Sequence, residues 1–190
     1  MTTKTIVSIL LFIAGIIGGK YVYDTLFGQS EIASFEDSDW TRTECLGVRF
    51  EVPFELSDMD LDLPESVRQY IKVMNNYQYE SKSISLFISN AEYNTGVKAN
   101  IDGAVNGAVR SMEAQKGVSD FTYTVKNIEK NSIEGRLIEG TCKIKGLNAE
   151  FVGEIYLRNL KLLQILAMNL SHTENREVRD RIMKSMKVTL

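Results

Sequence analysis

The chain has 190 residues, of which 44% are hydrophobic and 25% charged, and a formal charge of −3. These totals exclude a disordered, collagenous or disulfide-dense class, and one globular domain is the expectation for this length. With the charges of the opening segment (Lys4, Lys20, Asp24) set aside, the remainder carries −4. An acidic domain without a basic cluster is a poor partner for nucleic acid or for an anionic membrane surface.

The opening segment contains TIVSILLFIAGIIGG, uncharged from Thr5 to Gly19, and Tyr21, Val22 and Tyr23 extend its apolar character beyond Lys20. A helix from Thr5 to Tyr23 reaches about 28 Å, close to the hydrocarbon thickness of a bilayer. The best cleavage site is Ile17-Gly18-Gly19, with a bulky residue where a small one is favoured, and no lipoprotein-type cysteine follows. The run therefore reads as a retained single-pass anchor, with a removed signal or a core helix as alternatives. Lys4 lies before it, and Asp24, Glu31, Glu36, Asp37 and Asp39 after it. That distribution places the N-terminus in the cytoplasm and the domain outside. Gly15 and Gly19 form a GxxxG pair, with Ala14 and Gly18 parallel to it, a pattern that lets two helices approach in a weak homodimer. Residues 1–27 are thus the anchor or signal, the acidic stretch 28–39 a tether, and 40–190 a single domain.

Within the domain, GVRFEVPF alternates, with Val48, Phe50, Val52 and Phe54 on one face and Arg49 and Glu51 on the other, as a half-buried strand does. LSDMDLDLPESVRQYIKVM follows, and Pro64 with Glu65 suits the first turn of a short helix. Ile84 to Tyr93 predicts a strand. Val97, Ile101, Ala104, Val105, Ala108 and Met112 recur at helical spacing, with Gly117 where a C-terminal cap belongs. Between Phe121 and Leu170 the period changes to two, and four strands separated by short turns such as Lys145-Gly146-Leu147-Asn148 predict an antiparallel meander. LLQILAM is apolar on both faces and is expected at the centre. A last helix begins at Ser171, where Ser-His-Thr-Glu fits a capping box, and Val178, Ile182 and Met186 form its apolar stripe. The fold class is α+β, a central antiparallel sheet flanked by helices, preceded by one transmembrane helix.

This order of elements, the GVRFEVP strand and the ending FVGEIYLRNLKLLQILAMNLSHTENREVRDRIMKSMKV resemble the PsbP-like superfamily. Its members include the extrinsic oxygen-evolving subunit of photosystem II, a Ran-binding import factor and small bacterial envelope proteins. The closing helix running into Ser185-Met186-Lys187-Val188 is similar to the superfamily's ending, and the resemblance spans about Trp40 to Leu190. It implies an α/β/α sandwich that mostly binds other proteins, with the envelope members the nearest comparison. The superfamily has no shared catalytic set, so no residue role is carried over.

Candidate chemistry is sparse. His172, the only histidine, is expected at a helix N-terminus and has no evident partner for catalysis or metal binding. Asp58, Asp60 and Asp62 begin like a calcium loop, but Leu63 stands where glycine is needed and Gln69 where glutamate is needed. Gly103 and Gly107 lack the strand and third glycine of a phosphate loop, and point to close helix-to-sheet packing. Cys45 and Cys142 are a possible disulfide outside the cytoplasm. Cys142 shares parity with core residues, whereas Cys45 shares parity with Arg49 and Glu51 unless Gly47 resets the strand. No cofactor, metal or catalytic residue is expected. The leading function is a membrane-tethered extracytoplasmic module that binds or assembles proteins without catalysis. The alternatives are a small-ligand or lipid-binding envelope domain and a hydrolase using Glu139, Glu150 and Glu154, which otherwise belong to a solvated sheet face.

Overall fold

Alternating side chains and tight turns build two sheets. The computed structural model describes residues 35–190, apart from Asp62, Lys82 and the side chain of Thr173. The anchor over 1–27, with Gly15 and Gly19, and the tether up to residue 34 lie outside the described residues. Strands β1 (Thr41–Cys45), β2 (Val48–Val52) and β10 (Lys187–Val188) form a small sheet in the order β1-β2-β10. The large sheet contains β3 (Ser57–Asp58), β4 (Ile71–Glu80), β5 (Ile84–Tyr93), β6 (Val118–Lys130), β7 (Ile133–Ile144), β8 (Leu147–Arg158) and β9 (Lys161–Leu170). Its order is β3-β4-β5-β9-β8-β7-β6, with the neighbouring strands antiparallel. The helices are α1 (Glu65–Arg68), α2 (Ile101–Glu113) and α3 (Thr173–Ser185). The expected α+β class and four-strand meander are present, and β9 is the central strand, as its two apolar faces require.

Those two faces enter different cores. Toward α2, Leu162 and Met168 of β9 join Ile138, Phe151 and Ile155 beneath Ala104, Val105, Val109 and Met112. On the other side Leu163, Ile165 and Ala167 of β9, with Ile84, Leu86 and Ile88 of β5, pack against Val48, Phe50 and Val52 of β2 and Val178 and Ile182 of α3. The layers are α2, the large sheet, and the small sheet together with α3. Each fully buried aliphatic side chain stabilises the fold by about 1.5–3 kcal/mol relative to exposure.

Turn chemistry sets the meander. Leu46 and Gly47, Asn131 and Ser132, and Lys145 and Gly146 all take positive φ, as two-residue hairpins whose twist matches that of their strands require. The Asn131 side chain also donates to Val188 O at 2.8 Å, fastening the β6–β7 turn to β10.

Several local expectations are corrected. The short helix expected at Pro64 and Glu65 is present and ends at Arg68, but the residues beyond it, Ile71–Glu80, are a strand whose pairing with β5 overrides its weak periodicity. Thr41–Cys45 is also a strand, paired with β2 through the Leu46-Gly47 turn. Gly117, with φ +89, lies in the turn into β6 instead of capping α2, which ends on Ala114. The α3 capping box does not form. Ser171 N is bound to Asn148 O at 2.9 Å, and His172 becomes the N-cap residue without a side-chain cap bond. Finally, Phe35 and Asp37, within the expected tether, already touch the domain. Phe35 lies against Phe54 at 6.1 Å between ring centroids, and Asp37 pairs with Arg181, whose guanidinium lies 4.0 Å above Trp40.

Gly140 is required for space. An added Cβ would lie 2.3 Å from both Phe151 Cζ and the backbone oxygen of Thr122. Gly140→Ala is expected to lower stability by about 1–3 kcal/mol, the cost of forcing atoms into a packed core, as measured by urea unfolding.

Candidate binding surface

The two sides of the large sheet are not equally covered. Helix α2 lies over β6, β7 and β8, whereas α3 packs on β2 and β9. The α3 side of β6 and β7 is therefore left facing solvent. Alternation decides which groups stand there: Thr122 lies opposite Thr141, Thr124 opposite Glu139, Thr141 opposite Glu150, and Glu139 opposite Val152. These side chains and Arg179 line an open hollow of about 370 Å³.

Its polar groups are largely occupied by one another. The Thr122 and Thr141 hydroxyls are 2.9 Å apart, and Lys126 Nζ donates to Glu139 Oε2 at 2.6 Å. Glu150 receives both Arg176, with Nε to Oε2 at 2.8 Å, and Arg179, with Nη1 to Oε2 at 3.3 Å. Arg179 is 7% exposed, and its charge is compensated by Glu150, by Asp180 at 2.7 Å and by the buried Asn169 carbonyl at 2.9 Å. Further along β8, Glu154 accepts from Lys130 Nζ at 2.8 Å on each oxygen and from Tyr156 OH at 2.7 Å. Lys130 also donates to Met183 O in the last turn of α3, where a cation is favoured. Burial, reinforced by Glu154, pushes the Tyr156 hydroxyl well above its ordinary range.

The three glutamates named from sequence do stand on one sheet face, but only Glu139 belongs to a solvated surface. Glu150 and Glu154 are covered by α3, with side chains 15% and 6% exposed. Each of the three is bound to its own cation. Hydrogen bonding from Arg176, opposed by burial and aided by both arginine charges, holds the Glu150 carboxyl below its usual range. A general acid at neutral pH needs the opposite shift, so this arrangement suits a binding surface better than proton transfer. The sequence reading missed Arg176 and Arg179. Their signal is the spacing of three, which puts both on one helix side, with Arg179 beside Val178 at the edge of the apolar stripe.

The other candidates are dispersed. Asp58 and Asp60 are exposed, and no group of acidic, cysteine or histidine side chains able to hold a metal occurs among the described residues. Gly103 and Gly107 are buried on α2. Both cysteines are free: Cys142 belongs to the α2 core, whereas Cys45 packs against the core beneath α3. The considered pairing is not made, because Leu46 and Gly47 turn β1 back and leave Cys45 on the opposite side of the large sheet from Cys142. Among the described residues no helix is long and apolar enough to cross a membrane.

Comparison with known proteins gives distant structural likenesses. The chain matches no family profile and no curated protein sequence. Among solved structures it is similar to cyanobacterial PsbP from Synechocystis, with 8% identity, 85% of this chain and 95% of that one covered, and a TM-score of 0.49. It is also similar to LpqN, described as involved in cell envelope biogenesis of Mycobacterium tuberculosis, with 13% identity, coverage of 80% and 91%, and a TM-score of 0.46. A Pseudomonas aeruginosa protein of unknown function, a putative regulator by its description, is matched at 11% identity, coverage of 70% and 83%, and a TM-score of 0.36. The resemblance to PsbP-like proteins is one of pattern.

Two measurements follow from this geometry. Glu150→Gln is expected to cost about 1–3 kcal/mol at pH 7 by leaving Arg179 buried without its full compensation. The folded pKa of Glu150 is depressed, so its contribution is complete above the unfolded value of about 4.3 and is lost as pH falls through the lower folded value. The wild-type advantage in denaturant unfolding should therefore shrink over that acidic window. Burial pushes both thiols up to about 11. Alkylation of the native protein at pH 7 should accordingly be slow, and mass spectrometry of unfolded, unreduced protein should count two reactive thiols.

Proposed function

We propose that the protein is a membrane-tethered, extracytoplasmic module that binds or assembles other proteins, without a reaction of its own. The observation that carries this reading is the uncovered sheet flank. Beyond the reach of α3, Thr122, Thr124, Glu139 and Thr141 face solvent, and on the opposite face of the same edge strand Tyr123 and Val125 are 46% and 42% exposed. A sheet edge with hydroxyls and paired charges on one face and exposed apolar groups on the other has the mixed character of non-obligate protein interfaces. The carboxylates that a hydrolase would use are committed to Lys126, Arg176, Arg179 and Lys130. The hollow is open and mixed in its lining, unlike the enclosed, mostly apolar site expected of a lipid or small-ligand carrier.

Tethering and orientation follow from the sequence: the apolar run from Thr5, its poor cleavage site, and acidic residues after it against Lys4 before it. The test combines protease protection on intact cells or spheroplasts with N-terminal sequencing and crosslinked pull-down from membranes. Retention of Met1 or Thr2, an accessible domain and a recurring partner protein are expected. A protected domain, or recovery of no specific partner, would overturn the proposal.

A further inference from the structure

The large sheet ends very differently at its two edges. One begins with β3, only two residues long. The other is β6, Val118–Lys130, which among the described residues has a strand partner on one side only. From Thr122 to Asn127 every residue of β6 is exposed, including Tyr123 and Val125. Such an edge presents a row of backbone donors and acceptors ready for another strand. Its start is closed by a bulge between Ser119 and Thr122, where Asp120 takes φ +50. The usable length is therefore the regular stretch from Thr122 onward.

We infer that β6 pairs antiparallel with β6 of a second copy of this chain, centred on Val125, so that two large sheets join across a two-fold axis. This inference rests on reading the protein as a membrane-tethered assembly module. An axis normal to the sheet keeps each face on its own side, so opposed residues must share parity and the centre must fall on a residue. Centring on Lys126 would oppose that lysine to its own copy, which like charges disfavour. Centring on Thr124 would run the pairing into the bulge within two residues and place Ile128 against Asp120. Centring on Val125 uses the regular stretch from Thr122 to Ile128 and places Lys126 opposite Thr124. At both ends it brings the Lys130 terminus of one strand toward the Asp120 bulge of the other. Val125 meets its copy on the α2 side, and Tyr123 meets Asn127.

A second feature also selects another copy of the same chain as the occupant. The Gly15 and Gly19 spacing in the apolar run is the sequence pattern with which membrane helices pack closely, and on the reading of the protein as tethered, two anchored domains would meet at a raised effective concentration at the edge. Because the isologous contact consumes β6 in both copies and β3 offers only two residues, the assembly closes as a dimer instead of growing into a filament.

The test is a cysteine scan from Thr122 to Asn127 in the full chain in membranes, with Cys45→Ser as background, under mild oxidation. Cα atoms opposed across antiparallel strands lie about 4.5–5.5 Å apart, within disulfide reach. Val125→Cys is expected to give the fastest dimer formation, at least about tenfold above Leu147→Cys, an exposed residue outside β6. A scan without a maximum at 125, or crosslinking at 125 no faster than at 147, would overturn the inference. The readout is independent of partner capture. Failure to recover a foreign partner leaves the position of the maximum unchanged, and loss of the maximum leaves partner capture untouched.

Discussion

The constraint on which the rest depends is that β9 lies between two cores. A strand buried on both faces has no direction in which to place an uncompensated polar side chain, and Leu162, Leu163, Ile165, Ala167 and Met168 meet that demand. Its partners β5 and β8 inherit it to a decreasing degree. On β8 the α2 side is apolar through Ala149, Phe151 and Ile155, while the α3 side already alternates Glu150, Val152 and Glu154. Apolar content therefore falls with distance from the centre, and the solvent-facing polar surface is what remains where coverage ends.

That decline explains why the ion pairs occur where they do. Glu150 and Glu154 stand under the margin of α3, too covered to be left without a cation. Burying such charges is costly unless geometry and hydrogen bonds compensate. Arg176 and Arg179 meet Glu150 from the first turns of α3, and Lys130 reaches Glu154 and the carbonyl of Met183 at its far end. Their value lies in fixing where the helix sits: an apolar stripe alone lets a helix slide, whereas two charge-matched contacts at opposite ends set both its angle and its position.

How much of this was legible depends on whether the signal was local. Strands with one buried face announce themselves by alternation, which is why β2 and the run from β6 to β8 were readable; β5, buried on both faces, was readable as a short apolar β-rich run, and β9 declared its central place by lacking alternation. Strand β4 was not readable because Lys72, Asn75, Asn76 and Gln78 interrupt it, and its identity comes from pairing with β5. The capping box at Ser171 failed for a related reason, since the hydrogen bond from Ser171 N to Asn148 O outranks a local preference. The glutamates were legible as a set on one face, but their cations were not. Arg176 and Arg179 follow Glu150 by 26 and 29 residues, and no sequence spacing relates a helix residue to a strand on the sheet beneath it.

The start of the domain is tied into the same helix. Arg181 pairs with Asp37 and stacks on Trp40, while Ser185, near the end of α3, accepts from Glu51 N at 2.8 Å and donates to Ile182 O at 2.7 Å. Helix α3 thus holds the entering chain, β2, and through Glu150 and Glu154 the flank of the large sheet. A single surface pair contributes little by itself. Here the contacts share one rigid body, so a force applied where the chain enters the domain is resisted by the apolar stripe and both ion-pair groups together. The entering chain is therefore fixed relative to β8, and through the β6–β8 hairpins relative to the exposed edge, which gives that edge a defined direction from the point where the chain enters the domain.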